Sequence, residues 1–133
     1  MGQAAKQIEP TAPRGIAGKR VFVVEDEALI AFDIEMILEG KGCQVVGPAG
    51  RLDRAIDLAE SEAFDLAVLD VMIGPDEIFP LASILAERGV PFVFHSGHAH
   101  PADLCALFPE AGFVCKPSSP ARLTRALEAA AEG

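Results

Sequence analysis

The chain has 133 residues, half of them apolar and 23% charged, with no Trp and no Tyr; that length and mix suit one compact domain and exclude wholesale disorder. At this size folding buries about two thirds of the extended surface, so a core forms without disulfides or a structural metal. Eleven Lys and Arg against twenty Asp and Glu give a net charge of −9, which repels phosphate backbones and argues against direct nucleic-acid binding.

The apolar runs, such as those at residues 21–24 and 90–94, fall far short of the ~18 residues that span a bilayer, so no membrane insertion is expected. The N-terminal MGQAAKQIEP lacks an apolar secretory core, and Lys6 stands where a myristoylation motif wants Ser or Thr. Cys43, Cys105 and Cys115 show no CxxC spacing, which indicates neither a disulfide framework nor a zinc ribbon and fits a reducing cytoplasm. All three are expected to be small core hydrophobes.

Residues 1–18 carry Pro10, Pro13, Gly15 and Gly18 among small and polar residues. Such a segment has too little apolar periodicity to bury anything and reads as a flexible leader. The domain then spans 19–133 and holds all the charged residues except Lys6, Glu9 and Arg14, so the acidity belongs to the folded part. A first strand is predicted at 21–24, then a helix at 28–39 that stops at Gly40 and Gly42. That helix is apolar around most of its girth (Leu29, Ile30, Phe32, Ile34, Met36, Ile37, Leu38). A deep core setting is expected for it rather than a dimer or partner face. A strand at 44–46 leads to a helix at 52–62, with Leu52, Ala55, Ile56 and Ala59 on one stripe. The third strand is 66–69; a helix at 81–88 follows Pro80 as a plausible first helical residue. Next come a strand at 91–95 and a short helix at 100–107 opening near Pro101. A strand at 113–115 and a helix at 120–131 behind Ser119 as N-cap complete the chain. The strands are mostly continuous apolar runs, as expected where both faces are covered. Their alternation with helices predicts five βα units around a parallel sheet.

In an open α/β sheet, ligands bind beyond the carboxyl ends of the strands. Glu25, Asp26 and Glu27 follow the first strand, Asp70 the third, Ser96 and Gly97 the fourth, Lys116 and Pro117 the fifth. Carboxylates converging from two neighbouring strands repel one another unless a hard cation sits among them. Mg²⁺, or Mn²⁺ in its place, accepts one or two carboxylates plus water and phosphate oxygens. A lysine at a neighbouring strand end offsets remaining charge and offers a cation to a phosphoryl group, and a small hydroxyl donates to one of its oxygens. A carboxylate so flanked can attack phosphorus, and the product is an aspartyl phosphate.

The run VFVVEDE, the strand ending LAVLD at Asp70, and the FVFHSG and FVCKP segments together resemble a response-regulator receiver domain, over roughly residues 19–133. The resemblance implies a flavodoxin-like (βα)5 three-layer sandwich with strand order 2-1-3-4-5. It implies Asp70 as phosphoacceptor, Asp26 as direct metal ligand, Glu25 as a partner through water, and the Met72 backbone carbonyl as a further ligand. Ser96, Gly97 and Lys116 would contact the phosphoryl group, Phe113 would be the aromatic switch, and the peptide before Pro117 would be cis. Met72 and His98 match positions that shield the phosphoryl group from water and tune autodephosphorylation. The implied role is a stand-alone, cytoplasmic phosphoacceptor in a two-component system, not an enzyme beyond self-phosphorylation and autodephosphorylation at Asp70. Its donor would be a sensor histidine kinase or histidine phosphotransfer protein; it would act on a downstream protein, and a homodimer is compatible. FVFHSGH, with VVGPA after the second strand, also resembles receivers associated with HWE-type histidine kinases. With no further domain after the last helix, output is expected through a protein contact, phosphate buffering or a domain outside this sequence.

Three features depart from the family's common pattern. The loop MIGPDEIFP lacks the usual Pro and paired Gly, the fourth helix is short, and Phe113 replaces the commoner Tyr, so its gated surface must rely on packing. Competing readings fit less well. A flavin or nucleotide binder of this fold needs an anion-cradling loop after the first strand, which here is acidic. A haloacid-dehalogenase-type phosphatase needs an Asp where Met72 stands. A phosphorylation-independent binding module is the remaining alternative. His95, His98 and His100 crowd within six positions, but no cysteine or acid completes a transition-metal set.

Overall fold

The computed structural model describes residues 15–97 and 102–132, with only the backbone described at 102, 103 and 105. In chain order the elements are β1 (Arg20–Val24), α1 (Ala28–Gly40), β2 (Gln44–Ala49), α2 (Leu52–Ser61), β3 (Leu66–Leu69), β4 (Met72–Ile73), β5 (Asp76–Glu77), α3 (Phe79–Glu87), β6 (Phe92–Ser96), α4 (Ala102–Leu107), β7 (Gly112–Cys115) and α5 (Pro120–Glu132). The main sheet is parallel, in the order β2-β1-β3-β6-β7. This is the implied 2-1-3-4-5 order, with β4 and β5 standing apart as a small antiparallel hairpin.

Successive side chains of a strand point to opposite faces, and β1 divides accordingly. Phe22 and Val24 join a core with Leu69, Phe94, Leu81 and Leu85, whereas Val21 and Val23 join one with Val68, Val93, Ile34, Leu38, Leu123 and Leu127. The second core lies under α1 and α5, the first under the remaining helices, and a three-layer sandwich results. Ser119 caps α5 as predicted: its Oγ accepts from Arg122 N–H at 3.1 Å.

The structure corrects several expectations. Ile16 is buried in the second core, its carbonyl accepts from Cys43 Sγ at 3.2 Å, and Gly18 N–H donates to Gly42 O at 2.8 Å. The packed domain therefore begins before residue 19; a lone apolar residue gives no periodicity from which to read its burial. Cys43 is buried as expected, but Cys115 is exposed, because it ends an edge strand; the Cys105 side chain lies outside the described residues. In α1, Ala31, Ile34 and Leu38 are buried, while Leu29 is 81%, Phe32 56% and Met36 54% exposed. The all-round apolar pattern therefore marks an uncovered face, not a deep setting.

Two local features are new. β2 continues to Ala49 through a cis Gly47–Pro48 peptide. Gly47 has φ +91°, and a Cβ there would lie 2.9 Å from Ala49 N and 3.0 Å from Val23 O, so only glycine fits. The loop after β3 folds as the β4–β5 hairpin, with Met72 opposite Glu77 and Ile73 opposite Asp76. Buried Ile73 and Ile78 anchor it to the core, and α3 starts earlier than predicted, at Phe79. No helix among the described residues is long and apolar enough to cross a membrane.

Candidate functional site

Register brings the scattered acids together. Val24 pairs with Leu69, so Glu25 and Asp70 leave neighbouring strands at one level. Both stay on the ladder one step further: Asp70 N–H donates to Val24 O and Glu25 N–H to Ala49 O, each at 2.9 Å. Glu25 and Asp70 are buried and Asp26 is exposed, and one carboxylate oxygen from each lies within 4.8 Å of the other two. From the far side, Lys116 Nζ reaches Asp70 Oδ2 at 2.9 Å and Glu25 Oε1 at 2.8 Å. Lys116 is itself placed by its backbone, whose N–H donates to Ser96 O at 2.7 Å. Asp26 Oδ2 accepts from Gly74 N–H at 2.8 Å, tying the hairpin to the acids. A cleft of about 230 Å³ opens over the group, lined by Asp26, Glu27, Asp70, Met72, Gly74, Gly97 and Lys116. A larger hollow of about 350 Å³ beside Phe92 and Phe108 gathers no such converging charges.

A profile described as "Response regulator receiver domain" matches residues 21–128. The chain belongs to that family. Among curated relatives of this receiver domain, "Transcriptional regulatory protein PdtaR" of Mycobacterium tuberculosis is 35% identical over 116 residues, covering 84% of this chain and 56% of the relative. The response regulator PhyR of Brucella abortus matches in structure with a TM-score of 0.76 at 27% identity, covering 98% of this chain and 54% of that one. SdrG of Sphingomonas melonis Fr1 matches with a TM-score of 0.73 at 31% identity, covering 84% of this chain and 94% of that one. The chain spans about half the length of the curated relatives it matches.

Electrostatics in this receiver domain follow from two buried acids, Glu25 and Asp70, sharing one ammonium. Burial, with the Asp70 carboxylate alongside, raises the Glu25 pKa to about 7 against the opposing pull of Lys116. Burial alone would lower Lys116, but the Glu25 and Asp70 carboxylates outweigh it and hold the ammonium above its ordinary value. Lys116 Nζ lies 2.8 Å from Glu25 Oε1 and 2.9 Å from Asp70 Oδ2, so one ammonium is shared between the two buried carboxylates. Three carboxylates gathered this closely suit a hard cation, and receiver domains bind Mg²⁺ at an acidic pocket of this kind.

The other expected site residues fall around this pocket. Ser96 ends β6 and is buried. Phe113 on β7 is partly buried, its ring 6.4 Å from that of Phe94. A Cβ on Gly97 would meet Lys116 at 3.8 Å, so glycine keeps the cleft wide without being conformationally required. Met72 borders the cleft, and its N–H approaches Asp70 Oδ1 at 3.4 Å. The Lys116–Pro117 peptide is cis. His98 and His100 lie outside the described residues. Sequence reasoning missed the pairing of His95 with Ser118, since nothing in a buried-strand pattern signals which loop hydroxyl a histidine will meet.

Proposed function

We propose that this receiver domain is a phosphoacceptor switch of a cytoplasmic two-component system, with Asp70 as the acceptor. The observation that supports this best is Lys116 Nζ held between Asp70 and Glu25 beside a third carboxylate, Asp26. An oxygen of Asp70 bonds to phosphorus as the phosphorus–nitrogen bond of a donor phosphohistidine breaks; the electron pair leaves on the imidazole, which takes up a proton. Lys116 and the Ser96 hydroxyl stabilise charge on the phosphoryl oxygens. Mg²⁺ or Mn²⁺, held by Glu25, Asp26, Asp70 and the Met72 carbonyl, neutralises part of that charge when bound. Gly97 leaves room for the group, and Met72 and His98 limit the access of hydrolytic water.

The donor is a histidine kinase or histidine phosphotransfer protein, and the exposed Leu29, Phe32 and Met36 of α1, which follows directly on the acidic Glu25–Glu27 segment, supply an apolar face for docking it. Rearrangement at Ser96 and Phe113 shifts the α4–β7–α5 surface between two populations, which a downstream protein reads. Treatment with a small phosphodonor and Mg²⁺ is the test. Intact mass should rise by one phosphoryl group in the parent and not in Asp70→Asn. No Asp70-dependent gain with any donor, a cognate kinase included, would favour a phosphorylation-independent binding module.

A further inference from the structure

His95 is a buried polar residue whose position an aliphatic side chain would fill at lower desolvation cost. It lies on the β6 face that carries Val93 into the core under α1 and α5. Its Nε2 pairs with Ser118 Oγ at 2.9 Å, and its Nδ1 has no hydrogen-bond partner among the described residues. The ring borders a cleft of about 390 Å³ between α1 and α5, where Ile30, Ile34 and Leu123 meet the charged Glu27, Asp33 and Lys116. Burial, followed by the nearby Lys116 charge, holds the ring neutral, so it adds no second cation beside the ammonium.

The position of that bond along the chain gives it a use. Ser96 O takes the backbone N–H of Lys116 at 2.7 Å, and His95 takes the side chain of Ser118. Consecutive residues of β6 thus grip the chain on both sides of Pro117, just where β7 has ended and α5 has not begun. We propose that His95 and Ser118 are positioning residues for Lys116, fixing the segment from which its ammonium reaches Asp70 and Glu25. This goes beyond the phosphoacceptor reading but rests on it for its effect on phosphorylation.

Substitutions that keep or remove the one contact test it. The Gln amide reaches the place of Nε2 and the Asn amide only that of Nδ1, while Thr keeps the hydroxyl at 118 and Ala removes it. In the full chain, acylation of Lys116 by an amine-reactive ester, read by peptide mass against exposed Lys41, reports how well the ammonium is held. The rate of Asp70 phosphorylation by a small phosphodonor reports the consequence. H95N and S118A should each speed Lys116 labelling and slow phosphorylation, by about threefold to tenfold, the range expected for loss of one hydrogen bond. H95Q and S118T should stay near the parent, and H95N/S118A should be no worse than either single change. Thermal melts check folding; should His95 variants unfold, the S118A and S118T pair decides the matter. Unchanged labelling and phosphorylation in S118A, or equal damage in H95Q and H95N, would overturn the proposal. If the parent accepts no phosphoryl group from any donor, the phosphoacceptor reading fails, while Lys116 labelling still tests the positioning.

Discussion

Burial beside an ammonium makes a charged imidazole costly, and His95 carries the consequence: its pKa falls from 6.5 to about 4, through desolvation first and Lys116 second, against a smaller pull from Asp70. The unfolded chain takes up a proton near pH 6.5 that the folded chain refuses until about pH 4. The resulting stability is fully present above pH 6.5 and is lost as pH falls between those values. The difference amounts to roughly 3 kcal/mol at most. Urea unfolding at pH 7 and pH 4.5 should show the parent losing more stability on acidification than His95→Gln, and equal losses would contradict the burial of a neutral ring. Glu25, raised to about 7, acts in the opposite sense in both proteins and cancels from that comparison. Asp70, Glu25 and Lys116 were legible in the sequence because each directly follows an apolar run, with Asp26 one step further, and topology sends such residues to one edge. The burial of Ile16, the exposure of Cys115 and the partner of His95 were not, since each depends on a contact with a distant segment.

Element boundaries show how far local patterning reaches. Helix α5, capped by Ser119, was readable from periodicity and its N-cap. The β4–β5 hairpin was not, because strands of two residues carry no period, and what fixes them is Ile73 and Ile78 in the core and Gly74 N–H on Asp26. Apolar composition alone could not decide between a buried and an uncovered α1, and the buried reading was wrong for Leu29, Phe32 and Met36. Covering this face with a protein donor gives it a physical reason to be apolar. Phe32→Glu and Met36→Glu should leave thermal stability and phosphorylation by a small donor close to the parent's. They should cut transfer from the protein donor tenfold or more, about 1.4 kcal/mol per decade, as for residues central to an interface. Equal rates from the protein donor would place docking elsewhere.

At the scale of the molecule, the order β2-β1-β3-β6-β7 turns four separate sequence segments, those after β1, β3, β6 and β7, into one pocket. The five βα units were legible because continuous apolar strands alternate with helical stretches, and the four quoted segments lie in the order and spacing of a receiver domain. What periodicity could not supply was register: a slip of one residue between β1 and β3 would turn Asp70 to the other face and dismantle the cluster. Four of the twenty acidic side chains, Glu25, Asp26, Glu27 and Asp70, gather beside Lys116 at this pocket, and its ammonium offsets part of their charge. The most direct measurement locates the bond that forms. Borohydride reduces an acyl phosphate to a primary alcohol with release of phosphate, so a phosphorylated aspartate becomes homoserine, and peptide mass mapping finds its position. After treatment with a phosphodonor and Mg²⁺, homoserine is expected at position 70 alone. Homoserine at position 26 or elsewhere, or none in a chain that has taken up phosphate, would contradict Asp70 as the acceptor.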